Sequence, residues 1–450
     1  MRDLMKSALT LPLAISLFGV QQLVNALTPS SSTDGGGAAA AFDALSDATE
    51  SQLDGWIEQC VELGGAARRT IGSMAAAWPP PLDAEAALRL ALDPRLASLL
   101  HAVERYGVPA LGLLDAGGMS RADRTAALRE TANKLVVMQL AGDARRQLGM
   151  DDGPEEALDV LIGRALTIRP FERLWAIEEL GRDAAARAVA RAEAGDVQGL
   201  LTAEPLNALP SRCVPMLHVG MGRAFAAHVL SPLDSTSDAD AVRHAVTRCA
   251  ALCRRSSRRS MAGVAFGALG VEVRMTRRSL VSTFDRAIVR IEAALRPYFW
   301  HGVGRGAYFG PEHLRPSTNA PRQMIVNLRD DAPDDLAYAN ALAGIAWATT
   351  MVNMTHPEII EFLLRHHPGL AARHEALAGG IASAVTIRSV TTPDDFNVSA
   401  FITHEPSGGR AELWRSAIAI PCQAMLRQIH ADQTPESAAA DLFLDRRNPA

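Results

Sequence analysis

Two short strings in this chain place the same residue types in nearly the same order. His218-Val219-Gly220-Met221-Gly222-Arg223 and His301-Gly302-Val303-Gly304-Arg305 each set a histidine before a Gly-x-Gly-Arg run. Glycines followed by arginine can present backbone N–H groups to an anion, with the guanidinium as a fork-shaped partner. A buried histidine beside a carboxylate can move protons. The carboxylates that could join the two histidines are Glu178 and Glu179, inside the apolar run Leu174 to Gly181, where a charge needs a partner such as arginine. The ligand-binding set read from these strings is His218, Gly220, Gly222, Arg223, His301, Gly302, Gly304, Arg305 and Glu178. No catalytic residue is assigned, and no cofactor is expected.

The glycines have a structural reading too, and it is the leading one. Glycine in a helix interior costs roughly 1 kcal/mol relative to alanine. Its gain is the missing Cβ, which lets two backbones approach closely. The histidines, arginines and Glu178 can likewise form a structural polar network between helices.

Other chemistry is weaker. His356, His366, His367, His374, His404 and His430 crowd the C-terminal third near Glu358 and Glu361, but Pro368-Gly369 breaks any helical metal spacing, so no metal site is expected. Arg254, Arg255, Arg258, Arg259, Arg274, Arg277 and Arg278 concentrate basic charge. A solvated face is the expected role, with contact to an anionic membrane as the alternative. No aromatic residues interleave with them and the net charge is -5, which argues against nucleic acid. The five cysteines, Cys60, Cys213, Cys249, Cys253 and Cys422, have no disulfide or zinc spacing and read as small buried thiols. No nucleophile elbow or phosphate-binding loop occurs.

The elements that must position these residues are helical. Apolar residues recur at helical spacing over most of the chain, which predicts a mainly α, multi-helical fold with an internally duplicated core. LWAIEELG (174–181) precedes the first glycine string and VAFGALG (264–270) precedes the second at a similar distance. LAGIAWAT (342–349) and LAGGIAS (377–383) suggest a third pair. A helix is expected from Ser120 to about Gly149. Short β-like runs are expected at Met324–Leu328, Ala384–Val390 and Val398–Thr403.

With 450 residues and 48% hydrophobic composition, two or three folding units are expected. The boundaries read as an apolar N-terminal segment and linker (1–37), an N-terminal helical region (38–150), a duplicated helical domain (151–430) and a frayed tail (431–450). Residues 7–28 carry no charge and support three readings: attachment to a membrane surface, packing on the protein, or a cleaved signal. The expected location is cytoplasmic, with inner-membrane attachment through this segment. Of 45 basic residues only Lys6 and Lys134 are lysine, and alanine is abundant, as in chains from GC-rich bacterial genomes.

The two His-Gly-Arg strings, with LAGIAWAT and LAGGIASAVTIR, resemble a bacterial family of unknown function whose members recur near enediyne polyketide gene clusters. The resemblance covers residues 170–388. It implies an accessory role in secondary metabolism and names no reaction. The resulting expectation is a non-catalytic accessory or ligand-binding protein of bacterial secondary or lipid metabolism, holding an apolar or anionic small molecule. The alternative is an enzyme acting on a polyketide- or lipid-like molecule by His/Glu acid–base chemistry.

Overall fold

The computed structural model describes residues 121–150, 156–193, 196–258, 260–310, 320–366, 374–406 and 410–432. The expectations for residues 1–37, for the helices before Ser120 and for the tail after Asp432 lie outside the described residues. So do Cys60, Arg259, His367 and the side chains of His366, His374 and His430.

Every regular element among the described residues is a helix. In chain order these are α1 (Arg121–Gln147), α2 (Leu158–Ala165), α3 (Pro170–Arg191), α4 (Val214–Leu230), α5 (Ala239–Ser256), α6 (Ala262–Thr276), α7 (Val281–Glu292), α8 (Arg296–Tyr308), α9 (Ala320–Asp331), α10 (Asp335–Asn353), α11 (Pro357–His366), α12 (His374–Thr391), α13 (Asn397–Ile402), α14 (Ala411–Trp414) and α15 (Ile420–Asp432). A π-helical stretch, Arg415–Ala419, joins the last two. The described helices belong to one unit, Asp83–Ala450.

Local sequence explains where several helices begin. Pro170, Pro215 and Pro297 stand in the first turns of α3, α4 and α8, where their fixed φ fits and a missing N–H costs nothing. Asp238 caps α5 by accepting from the N–H groups of Asp240 and Ala241, and Asp334 caps α10 through Ala337. Helix α1 matches the helix expected from Ser120 to Gly149 to within two residues.

The three expected β-like runs are helical instead. Met324–Leu328 lies in α9, Ala384–Val390 in α12 and all but the last residue of Val398–Thr403 in α13. Ala384, Val385, Thr386, Ile387 and Arg388 are all buried, so neighbouring helices cover α12 on several sides. The short apolar run that looked like a strand is a helix buried all round, which erases the period expected of a half-exposed helix.

Six helices form a row in which each packs on the next: α3, α4, α6, α8, α10 and α12. Helix α5 packs on α4, α6 and α7, and α1 packs on α3, α10 and α11. The crossings along the row are made by glycine. A Cβ at Gly181 would overlap the Leu217 carbonyl oxygen, and one at Gly220 would overlap that of Glu178. The α6/α8 crossing repeats this with Gly270 on Phe299 and Gly302 on Gly267. The α8/α10 crossing repeats it again with Gly304 on Ala341 and Gly344 on His301. In all three, each glycine faces the carbonyl of the residue three places before its partner glycine. Gly222 on Ala265 and Gly380 on Ala343 serve the remaining two crossings. Such contacts bring a Gly Cα–H onto a carbonyl oxygen, a weak attraction that closely packed backbones share.

This geometry explains the Gly-x-Gly spacing. Residues two apart on a helix point about 200° apart, on opposite sides. Gly220 therefore opens α4 toward α3 while Gly222 opens it toward α6. Gly302 and Gly304 do the same for α8 between α6 and α10. Each motif marks a helix clasped from both sides, and the close-packing reading of these glycines is what the structure shows.

Candidate functional site

The polar residues of the row meet along one seam. Arg223 of α4 reaches both neighbours: its Nη1 donates to Glu178 Oε1 of α3 at 3.1 Å and its Nε to Glu272 Oε1 of α6 at 3.2 Å. Burial works against the Arg223 charge, but Glu272 and Glu178 outweigh it and raise its pKa. Glu179, 3% exposed, takes a two-pronged bond from Arg182 one turn on, with Nε to Oε2 at 2.7 Å. The nearby carboxylates are thus each engaged by a cation.

Arg305 of α8 has a different setting. It is 5% exposed, and its Nε finds no acceptor among the described residues. Its guanidinium carbon lies 4.6 Å from the centre of the Trp347 ring of α10, a cation–π contact. Burial pushes its pKa down to about 10, with Glu178 opposing that shift and Arg223 adding to it. His301, one turn earlier on the same face, sits edge-on to Trp347 with ring centres 6.2 Å apart. Burial, and then the charge of Arg305, hold its imidazole well below its ordinary pKa.

His218 joins none of these contacts. It is fully buried, with Nδ1 2.7 Å from the Val214 carbonyl oxygen and Nε2 accepting from the Arg258 backbone N–H at 3.1 Å. Those partners assign the neutral form with the proton on Nδ1. Burial lowers its pKa to about 4, against a smaller opposing pull from Val214. Both nitrogens are committed to backbone, so this arrangement leaves neither for proton transfer. The glycines lie within α4 and α8, where they face carbonyl oxygens of adjacent helices.

The arginine concentration resolves into separate bonds. Arg254 pairs with Glu292, and Arg255 with Asp196 at 2.6 Å. Arg258 donates to the carbonyls of Leu201, Leu206 and Leu209. Arg277 donates twice to the Leu233 carbonyl, and Arg274 and Arg278 both meet Asp331. These residues bind the loops and helices of the protein itself.

Among the C-terminal histidines, His404 Nε2 meets Glu361 Oε1 at 2.5 Å and its ring packs edge-on to Trp414. His356 Nδ1 lies 3.2 Å from Glu358, which Arg129 also engages. Although burial opposes it, hydrogen bonds from His356 and Arg129 bring Glu358 down to about 2. No group of His, Cys, Asp and Glu able to hold a metal occurs among the described residues. Cys213, Cys249, Cys253 and Cys422 are buried free thiols.

Several residues of the buried seam escaped sequence reasoning. Glu272 stands two places after the VAFGALG run, and Trp347 was hidden in LAGIAWAT, a run read for its small residues. Tyr308 stands three places after Arg305, so His301, Arg305 and Tyr308 share one helix face. Lys134 and Glu130 of α1 and Asn353 of α10 meet Tyr308. The usable signal was the rarity of lysine, since Lys134 is the only lysine among the described residues.

Among the described residues no helix is long and apolar enough to cross a membrane. Comparison with protein-family models, with curated proteins and with solved structures finds no match to this chain.

Proposed function

We propose that this is a non-catalytic ligand-binding protein that holds an apolar molecule by its anionic group, with Arg305 as the anion-holding residue. One observation carries the reading. A buried guanidinium stacked on Trp347 has an Nε with no acceptor among the described residues, while the neighbouring carboxylates are engaged by Arg182 and Arg223. Burying a charge without hydrogen bonds is costly. Replacing such a group by an apolar one of similar volume is often neutral or stabilising. A fold that keeps it gains something other than stability, and a carboxylate or phosphate would supply the missing acceptor. The apolar body of the ligand is inferred from the aromatic face of Trp347 beside the guanidinium.

The resemblance over residues 170–388 supports an accessory role in bacterial secondary metabolism for this binding, and the apolar body of the ligand extends the reading to lipid metabolism. The uncharged run at residues 7–28 extends the reading to attachment at a membrane surface, which fractionation of the intact chain tests.

The binding experiment compares the full-length protein with Arg305→Met, using decanoate and decanol as probes. The expected result is that decanoate raises the melting temperature of the parent and decanol does not. Arg305→Met should melt at or above the unliganded parent and lose the decanoate response. An Arg305→Met protein that still responds to decanoate like the parent would sink the proposal. Native mass spectrometry of the purified parent should show a bound acid.

A further inference from the structure

A second buried polar cluster lies where α1 meets α8 and α10. Lys134 and Glu130, one turn apart on α1, form an ion pair at 3.3 Å with both side chains at most 10% exposed. The Lys134 ammonium lies 4.0 Å from the centre of the Tyr308 ring. The Tyr308 hydroxyl is fully buried, accepts from Asn353 Nδ2 at 2.8 Å and hydrogen-bonds to Glu130. Asn133 Nδ2 donates to Asn353 Oδ1 at 3.0 Å and fixes the amide that holds the tyrosine. Burial, then the Glu130 charge, hold the Tyr308 phenol well above its usual pKa and keep it protonated.

The residue type at position 134 is the informative choice. The chain uses lysine at two of its 45 basic positions. For an ion pair alone, arginine is the stronger residue, with more donors and a fixed geometry. What lysine can do and arginine cannot is lose its proton and act as a nucleophile. Here the amine stands beside a carboxylate that can take its proton, and that carboxylate is bonded to a protonated phenol.

We propose that Lys134 is a reactive amine that captures a carbonyl compound as an imine, with Glu130 and Tyr308 handling the protons. The Lys134 ammonium gives a proton to Glu130. The freed Nζ lone pair attacks the carbonyl carbon, a C–N bond forms, and the carbonyl oxygen takes the Tyr308 proton. Glu130 returns its proton to the phenolate through their shared hydrogen bond and then takes a second from the nitrogen. The hydroxyl departs as water with the Tyr308 proton as the C=N bond closes, and Glu130 restores Tyr308. One water leaves, the imine nitrogen stays protonated, and no oxidant or reductant is consumed. This proposal does not rest on Arg305, and either can fail alone.

The test treats the full-length protein near pH 7 with hexanal and cyanoborohydride, which traps an imine as a stable secondary amine, and maps the alkylated positions by mass spectrometry. Lys134 should be alkylated about 10-fold or more faster than Lys6. Tyr308→Phe, with unchanged circular dichroism, should slow Lys134 by about 100-fold, in the range for losing a positioned proton donor. Lys134→Arg should abolish the adduct at that position. Alkylation of Lys134 no faster than Lys6, or only in denaturant, overturns the proposal. A Tyr308→Phe protein that labels at the parental rate overturns the proton relay.

Discussion

Two adjacent glycines of α12 give opposite predictions for the same substitution. Gly379 is exposed, and a Cβ built there meets nothing within 4 Å. Gly379→Ala then gains only the helix propensity of alanine and the lower entropy of its unfolded chain, a stabilisation of about 0.5–1 kcal/mol. Gly380 is buried against α10. A Cβ there would overlap the Ala343 carbonyl oxygen and stand 2.9 Å from both the Ala343 carbonyl carbon and Ala346 Cβ. Ordinary carbon–carbon contact is about 3.5–4.0 Å. The two helices must therefore separate by roughly 1 Å at their crossing. Overpacking of a filled core costs about 1–3 kcal/mol, and the propensity gain of about 1 kcal/mol returns part of that. The obstruction is backbone, which has no rotamer to adopt, so the upper end of the range applies. Gly380→Ala should lose about 1–2 kcal/mol, leaving the two variants about 1.5–3 kcal/mol apart. Urea unfolding followed by circular dichroism measures both, with unchanged slopes confirming that midpoints report stability. The reasoning is refuted if Gly380→Ala unfolds at or above the parental midpoint, or if both variants shift in the same direction.

His218 makes stability depend on pH. Its native pKa of about 4 lies below its ordinary 6.5, so the unfolded chain binds the proton more tightly. The stabilisation is complete above pH 6.5, declines as pH falls, and is gone near pH 4. At about 1.4 kcal/mol per unit, the loss reaches roughly 3 kcal/mol. Urea midpoints across that range should show it, and a His218→Gln variant should lack this component. Arg388 and Asp395 form a fully buried pair at 2.6 Å between Nε and Oδ2, with the guanidinium also donating to the Met351 carbonyl. Asp395→Asn leaves that cation without its counter-charge and should cost about 3–5 kcal/mol. Thermal melts should then show Arg388→Met/Asp395→Leu recovering most of the loss, whereas a double variant as unstable as Asp395→Asn would contradict the assignment.

What could be read from the sequence follows the range of each interaction. Helix α1 has its own apolar period and turn signals, and its bounds were legible to within two residues. The Gly-x-Gly strings announced close packing because glycine carries a fixed cost that an apolar helix must offset. The partners of each glycine were not legible, since Gly222 meets Ala265 and Gly304 meets Ala341 only once the chain has folded. The arginines between 254 and 278 look like one basic face because they are close in sequence. Their bonds run to Asp196, Leu201, Leu233, Glu292 and Asp331, and no local pattern reports such pairings. The buried seam was half legible. Glu178, Arg223 and Arg305 stood out as charges in apolar runs, while Trp347 and Tyr308 resembled ordinary core residues.

The reciprocal crossings also govern how this protein comes apart. A helix held by a knob of side chain can slip by a rotamer and keep most of its contacts. Here the lock is a carbonyl seated on a bare Cα, which has no second position to take. Each clasped helix is wedged on two sides, so lifting one withdraws a wall from the next. The row from α3 to α12 should therefore melt as a single cooperative block, with hydrogen exchange equally slow along its length, instead of fraying helix by helix from one end.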